Sequence, residues 1–286
     1  MAKVAVAFSP GHISGYFRRI EGDRMESTGS MGAGVVITEG VRSLVRASER
    51  RGVEIRVLDG ERMSVTHGSP PLEYAMERLG VHARITTECR LPIGAGFGLS
   101  AASLLSSITA ISALFSLDLS QEEIACLAHE SELVHRTGLG DVAACTGGGL
   151  ACRRGAGIHA TIDRCFPDET IHALSLGPIP TREILSSEER MRRIGEAYPG
   201  RCPRDLYDFV ALSRGFAERS GLLTPDLRHI LARCDECGIP ASMTMLGEGI
   251  FALGGDAGTF LAEFGSCWHL RIAKEGFGAA EVQDDP

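Results

Sequence analysis

A run of three glycines, placed between a predicted strand and a predicted apolar helix, constrains this chain more than any other feature. Residues 91–102 read LPIGAGFGLSAA, with glycines at positions 94, 96 and 98. Alternating apolar residues over 83–92 predict a strand before the run, and the small, apolar residues of 100–117 predict a buried helix after it. Because ordering glycine costs conformational entropy, the run indicates either a closely packed connector or a turn that approaches a ligand.

The start of the predicted helix is suited to an anion. The first N–H groups of a helix have no intrahelical acceptor and carry partial positive charge, and glycines let a ligand come close to them. The hydroxyl of Ser100 could cap this helix or bind a Mg²⁺ ion held by the same phosphates. The run is not a P-loop, since no lysine follows it, and its spacing is GxGxG where a dinucleotide fingerprint has GxGxxG. A purely structural connector remains the alternative.

Charge and composition exclude several classes of partner. The net charge is −8 and 44% of the residues are hydrophobic, which is typical of a globular protein and unlike a nucleic-acid-binding domain. The longest apolar run contains several serines and is short for a membrane span. We therefore expect a cytoplasmic protein with no nucleic-acid or membrane partner. Lysine occurs only at Lys3 and Lys274, so phosphate binding would depend on backbone, metal and arginine.

Local patterns predict further elements along the chain. Residues 4–8 read as a strand ended by Ser-Pro-Gly, and Asp59-Gly60 predicts the turn of a hairpin over 53–65. Ser120 and Glu123 predict a capping box at the start of a second helix. The last six residues, EVQDDP, are expected to be frayed. Nine cysteines are scattered, and the single close pair at 234 and 237 indicates reduced thiols near a helix end more than a metal site.

Four stretches, in order, resemble the motifs of the GHMP kinases (galactokinase, homoserine, mevalonate and phosphomevalonate kinases). They are FSPGHISGYF at 8–17, PIGAGFGLSAA at 92–102, HESELVHRTGLGDVAACTGGG at 129–149 and SMTMLGEGIFAL at 242–253. Within that superfamily, these motif sequences are most similar to those of the archaeal pantoate kinases. The resemblance implies an α+β, two-domain GHMP kinase fold. A ribosomal S5 domain 2-like N-terminal domain would span residues 1–157, and a ferredoxin-like C-terminal domain would span 158–286.

The resemblance also implies a function. Such an enzyme uses ATP and Mg²⁺ to phosphorylate pantoate to 4-phosphopantoate in archaeal coenzyme A biosynthesis, and the motifs are compatible with a homodimer. Two alternatives stay open. One is another small-molecule GHMP kinase, of the homoserine or mevalonate type. The other is a non-enzymatic, nucleotide-binding protein of the same fold.

The resemblance assigns roles to individual residues of this chain. Asp141 would be the catalytic base or orienting acceptor, and His12 would lie near the transferred phosphoryl group or the substrate carboxylate. Ser100 and Glu132 would bind Mg²⁺. The ATP phosphates would be cradled by Pro92, Gly94, Ala95, Gly96, Gly98, Leu99, Ser100 and Ala101. Substrate contacts would come from His12, Ser14, Gly32, Gly34 and Gly247.

Simpler roles remain open for several of these residues. Asp141 could serve only as a helix N-cap, and His12 could be a structural histidine. Glu130 is a rival to Glu132 for the metal. Met31 stands where the resemblance leads us to expect an arginine for the substrate carboxylate, and Arg18, Arg19 or His12 would have to replace it.

Overall fold

The computed structural model describes residues 3–60, 62–179 and 181–285, which form two sheets and the helices packed on them. The strands are β1 (Lys3–Ile20), β2 (Gly29–Ala47), β3 (Gly52–Asp59), β4 (Arg62–His67), β5 (Ala83–Cys89), β6 (Leu150–Arg153), β7 (Ile162–Cys165), β8 (Thr170–Pro178), β9 (Ala241–Met243), β10 (Gly247–Leu253), β11 (Cys267–Arg271) and β12 (Glu281–Asp284). The helices are α1 (Pro70–Arg78), α2 (Leu99–Phe115), α3 (Gln121–His135), α4 (Asp141–Ala144), α5 (Thr181–Ser186), α6 (Glu188–Ala197), α7 (Leu206–Ser220), α8 (Pro225–Glu236) and α9 (Ala257–Leu261).

The first sheet carries the long β1–β2 hairpin at its centre. Its strand order is β12-β1-β2-β5-β3-β4. Strand β6 pairs with β7 and with the outer half of β2, which is the half nearest the β1–β2 turn. The second sheet has the order β11-β8-β10-β9. The pairing of β3 with β5 is parallel and is connected through β4 and α1, whereas the other named strand pairs are antiparallel. This arrangement confirms the predicted α+β class.

The expected end of β1 at Ser-Pro-Gly is wrong. The strand continues to Ile20, and the chain absorbs Pro10 at a register shift between Pro10 and Gly11. Proline lacks the N–H that a regular ladder needs, so it is tolerated at such an irregularity. A Cβ on Gly11 would lie 2.8 Å from the carbonyl oxygen of Phe97, so this bulge also sets how closely the glycine loop approaches β1.

Other local predictions are confirmed, apart from the position of one turn. The β3–β4 hairpin is present, but Asp59 belongs to β3 and pairs with Arg62, so the turn begins at Gly60, one residue later than predicted. Glu61 and Pro180 lie outside the described residues. The Ser120 side chain accepts from the N–H of Glu123, and the Glu123 carboxylate accepts from the N–H of Ser120, as a capping box requires.

The expectation of a frayed tail is wrong. Residues 281–284 form β12, which pairs with β1 from Lys3 to Val6 and closes one edge of the first sheet. The free edge of β1 offers unpaired N–H and C=O groups, so a tail with little apolar content is still ordered by backbone pairing. The chain thus returns to its first sheet at its end. The division between residues 157 and 158 stays a prediction.

The cysteines hold one surprise. Cys152 in β6 and Cys202 before α7 form a disulfide across 50 residues of sequence, and no spacing pattern pointed to it. The Cys234–Cys237 pair behaves as expected, with two free thiols at the end of α8, one buried and one exposed. Within 3–60, 62–179 and 181–285 there is no cluster of three or more metal-ligating side chains. Among the same residues, no helix has both the length and the apolar character needed to span a bilayer.

Candidate active site

A cavity of about 490 Å³ lies where the glycine loop, the outer part of the β1–β2 hairpin and the turn before α4 meet. The loop contributes Ile93 and Gly94 and the stretch from Gly96 to Ser100, and the turn contributes residues 135–141. Other lining residues include Ser14, Phe17, Ser30, Thr87, Arg153, Met245 and residues 68–72. The volume suits a small-molecule ligand.

The three glycines adopt a left-handed backbone conformation, which glycine accepts more readily than other residues. Their φ angles are +77° at Gly94, +82° at Gly96 and +64° at Gly98, a region that side chains disfavour. Gly98 is the N-cap of α2, so the helix begins at Leu99. The alternative in which Ser100 caps the helix is therefore wrong. The first N–H groups of α2 have no intrahelical acceptor, and Leu99 and Ser100 in this first turn line the cavity.

Neighbouring elements hold this loop closely. The N–H of His12 donates to the Phe97 carbonyl at 2.9 Å, and the Thr244 hydroxyl donates to the Ala95 carbonyl at 2.9 Å. A Cβ on Gly96 would lie 2.9 Å from the Met245 carbonyl oxygen. The loop is thus held in place between β1 and the β9–β10 turn.

Most of the predicted cradle lines the cavity, but some of it lies behind. Gly94, Gly96, Gly98, Leu99 and Ser100 line it, whereas Pro92, Ala95 and Ala101 do not. The side chains of Ala95 and Ala101 are buried in the core. Gly247 packs against Ala95, where a Cβ would overlap the backbone, so it shapes the loop from outside and does not face the cavity.

Asp141 stands at the wall of the cavity with two side-chain donors. It is the first residue of α4, and its Oδ1 lies 2.6 Å from Nδ1 of His12 and 3.2 Å from the Ser14 hydroxyl. The N-cap is Gly140, so the alternative that Asp141 serves only as an N-cap is wrong. Burial alone would raise the pKa of this carboxyl, but the hydrogen bond from His12, the positive charge of Arg153 and the hydrogen bond from Ser14 outweigh it and lower the pKa. An ionised acceptor therefore faces the cavity.

His12 lies behind Asp141 and not in the cavity. Its side chain is fully buried and it does not line the cavity wall. A direct contact between His12 and the substrate or the phosphoryl group, as the resemblance implied, is therefore contradicted by its position. Gly34, another expected substrate contact, packs against the His12 ring, since a Cβ there would overlap Nε2.

Glu132 is a fully buried carboxylate without a hydrogen-bond partner. Neither oxygen is paired within the described part of the chain, and a Cβ on the cavity residue Gly138 would overlap the carboxylate. Burial and the negative charge of Asp141 raise the pKa of Glu132 well above its usual range, and the nearby Ser100 side chain opposes the shift. An orphaned acid beside Ser100 and Asp141 is what a divalent cation would satisfy.

Glu130, the rival metal ligand, faces elsewhere. Its carboxylate accepts from the Tyr74 hydroxyl at 2.5 Å and pairs with Arg78 on α1. Neither Glu130 nor Glu132 lines the main cavity, but Glu132 lies against the cavity residue Gly138 and beside Ser100. The structure therefore favours Glu132 over Glu130.

Sequence reasoning missed Arg153, which is 1% exposed yet lines the cavity. Its Nε donates to the Ser30 carbonyl at 3.2 Å, its Nη1 has no partner among the described residues, and its guanidinium packs against Gly140. No carboxylate in the ranges 3–60, 62–179 and 181–285 forms an ion pair with it. Burying an unpaired cation is costly, so the group is suited to an anionic ligand.

No sequence signal singled out Arg153. It follows a short apolar run and is next to Arg154, an exposed residue paired with Asp163. The residues proposed in its place are not at the cavity. Arg18 is exposed, Arg19 pairs with Glu21 on the surface, and neither lines the wall, nor do Met31 and Gly32.

Comparison with known proteins gives one family model and several relatives. The model for the GHMP kinases N terminal domain matches residues 71–149, which include the glycine loop, Glu132 and Asp141. A pantoate kinase of Methanospirillum hungatei is 44% identical over 272 residues, covering 94% of each chain. A pantoate kinase of Thermococcus kodakarensis is 31% identical, covering 86% of each.

A solved structure agrees over the whole length. A protein described as a phosphotransferase related to the CoA biosynthesis pathway superposes with a TM-score of 0.78. It is 25% identical, and the match covers 98% of both chains.

Proposed function

Because the chain belongs to the GHMP kinase family, as a small-molecule kinase with the predicted two-domain GHMP fold, we propose that it transfers a phosphoryl group from ATP to pantoate. The product is 4-phosphopantoate, for coenzyme A biosynthesis. The observation that carries the proposal is that two oppositely charged groups line the same cavity, the ionised Asp141 and Arg153, which has no carboxylate partner among the described residues. The proposal further places the enzyme in the cytoplasm, with ATP as its phosphoryl donor.

The glycine loop is the proposed phosphate site. Phosphoryl transfer needs alignment and neutralisation of charge more than covalent chemistry. Fixed N–H groups at the start of α2 would hold the phosphates of ATP without a lysine, as the rarity of lysine requires. The positive φ angles at Gly94, Gly96 and Gly98 support this, since they keep the backbone free of side chains where a ligand would approach.

Ser100 and Glu132 fit a magnesium ion. The fit rests on the buried carboxylate of Glu132, whose two oxygens have no partner among the described residues, and on the adjacent Ser100 side chain. When bound, Mg²⁺ supplies positive charge that offsets the charge on the phosphates. Glu132 then stays ionised in a site that otherwise favours its protonation.

Asp141 and Arg153 would handle the acceptor substrate. Pantoate has a carboxylate at one end and a primary alcohol at the other, and the cavity offers one cation and one ionised acceptor. Arg153, which lines the cavity, would bind the carboxylate, with the Ser30 carbonyl holding the guanidinium through Nε. Asp141, fixed by Ser14 and His12, would accept the proton of the attacking hydroxyl.

A substrate panel tests this proposal. The purified protein, ATP and Mg²⁺ are incubated with pantoate, homoserine and mevalonate in turn, and ADP release is measured together with the mass of the phosphorylated product. We expect turnover with pantoate and at least a hundredfold lower kcat/KM with the other two, about the discrimination that a buried charge partner can give. Preference for homoserine or mevalonate would favour the other kinases of the family. No turnover with any substrate would favour a nucleotide-binding protein without activity.

Glu132→Gln tests the metal site. Removing the charge of this ligand should raise the Mg²⁺ concentration needed for half-maximal activity by about tenfold or more. The measurement is a Mg²⁺ titration of activity at fixed ATP. Glu130→Gln, two residues away on the same helix, is the matched control and should leave the titration unchanged. A larger shift for Glu130→Gln than for Glu132→Gln would contradict the assignment.

A further inference from the structure

We propose that His12 is a positioning residue that aligns Asp141 with the glycine loop, acting as a neutral imidazole whose Nδ1–H donates to the carboxylate. The proposal rests on the phosphoryl-transfer function above and assigns His12 a role inside it. His12 never touches the substrate. It connects the two parts of the site that must be in register.

The first connection is through the side chain. Nδ1 of His12 lies 2.6 Å from Oδ1 of Asp141, a short distance that is typical of a hydrogen bond to a charged carboxylate. The Ser14 hydroxyl reaches the same oxygen at 3.2 Å. Both donors converge on Oδ1, so Oδ2 remains the oxygen available to an attacking hydroxyl.

The second connection is through the backbone of the same residue. The N–H of His12 donates to the Phe97 carbonyl at 2.9 Å. Gly98, the N-cap of α2, is so close that a Cβ there would lie 3.0 Å from both the nitrogen and the oxygen of His12. One residue therefore contacts both the proposed phosphate loop and the proposed catalytic acid, and a shift of either is transmitted to the other.

The surroundings of Nε2, on the other edge of the ring, indicate which nitrogen carries the proton. Nε2 is buried, has no partner among the described residues, and packs against Gly34, where any side chain would overlap the ring. A proton on Nε2 would be unpaired in this space, and an unpaired buried donor is costly. Burial lowers the pKa of His12, and the charges of Arg153 and Arg164 add to this, against the opposing effect of Asp141. The neutral Nδ1–H tautomer keeps the hydrogen bond to Asp141 and leaves no unpaired N–H donor on the ring.

Two amide substitutions separate the two ring nitrogens. The side-chain nitrogen of asparagine can occupy the place of Nδ1, whereas that of glutamine extends toward the place of Nε2. We expect His12→Gln to lose about a hundredfold in kcat, the scale of a misplacement of about 1 Å. His12→Asn should keep at least about ten times the kcat of His12→Gln. The KM for ATP should stay the same in both, because the backbone N–H to Phe97 is unchanged.

The comparison of kcat between His12→Asn and His12→Gln decides whether His12 acts as a positioning residue. Equal kcat values for the two variants would overturn the proposal, whether both match the wild type or both are inactive. A rise in the KM for ATP without a loss of kcat would do the same, since it would assign His12 to ATP binding. A merely structural histidine would not favour asparagine over glutamine, because either amide removes the ring.

A measurement on the wild-type protein covers the case in which a variant does not fold. The ¹⁵N chemical shifts of the His12 imidazole report which nitrogen carries the proton. We expect a protonated Nδ1 and an unprotonated Nε2 at neutral pH. The opposite tautomer or the doubly protonated ring would overturn the proposal. This readout needs no substrate, so it can succeed even if pantoate proves not to be the acceptor.

Discussion

Asp141→Asn should lower kcat for pantoate phosphorylation by about a hundredfold or more, while ATP still binds. The amide cannot take the proton of the attacking hydroxyl. Its oxygen can keep the place of Oδ1 and accept from His12 and Ser14, which puts its NH₂ group at the place of Oδ2. The glycine loop contacts other atoms of His12, so the phosphate site should persist. The loss therefore falls on kcat, with little change in the KM for ATP.

The protein contains its own reporter for ATP binding in this variant. Its single tryptophan, Trp268, packs edge to face on Phe97 of the glycine loop with ring centroids 5.9 Å apart. ATP titrations can therefore be followed by tryptophan fluorescence. Asp168→Asn is the matched control and should keep wild-type kcat, because Asp168 is an exposed carboxylate that does not line the cavity. Full activity in Asp141→Asn would contradict the assigned role.

Arg153→Gln should raise the KM for pantoate by about a hundredfold, which corresponds to the loss of a buried, charged hydrogen bond. The wild-type guanidinium lines the cavity and has no carboxylate partner among the described residues, so we expect the substrate anion to pair with it. Glutamine keeps much of the side-chain volume but removes the charge. The KM for ATP should change far less, because Arg153 is on β6 and not on the glycine loop.

The methyl ester of pantoate makes this prediction specific to the carboxylate. The wild-type enzyme should prefer the acid to the ester, and Arg153→Gln should remove that preference, since no cation remains to recognise the charge. Arg154→Gln is the matched control, because that side chain is exposed and pairs with Asp163. An acid-to-ester preference that survives in Arg153→Gln would show that the carboxylate is bound elsewhere. Thermal melting of each variant separates this effect from loss of stability.

Much of the site could be predicted because it is encoded locally. The run of glycines between a strand and a helix predicted a tight turn at a helix start, and the φ angles from +64° to +82° agree with it. Ser120 and Glu123 predicted their capping box for the same reason, since both partners lie within one helical turn. Where a feature depends on neighbours in sequence, the sequence was sufficient.

Features that depend on distant partners could not be predicted in this way. His12 and Asp141 are 129 residues apart, and the sequence did not show that the imidazole lies behind the carboxylate and not beside the substrate. The pairing of β12 with β1 and the disulfide between Cys152 and Cys202 join segments with no shared pattern. Each is a long-range contact, and backbone pairing or thiol proximity leaves no trace in composition.

The four ordered motifs were enough to predict a GHMP kinase, and the glycine loop predicted where its phosphates would bind. The surroundings of the charged side chains came from the fold. Glu132 is buried and unpaired whereas Glu130 is paired, Arg153 lines the cavity whereas Arg18 and Arg19 do not, and His12 lies behind Asp141. The physical reason is that a backbone turn is fixed by the local preferences of its own residues. The exposure and pairing of a charged side chain are fixed by which distant strands and helices surround it.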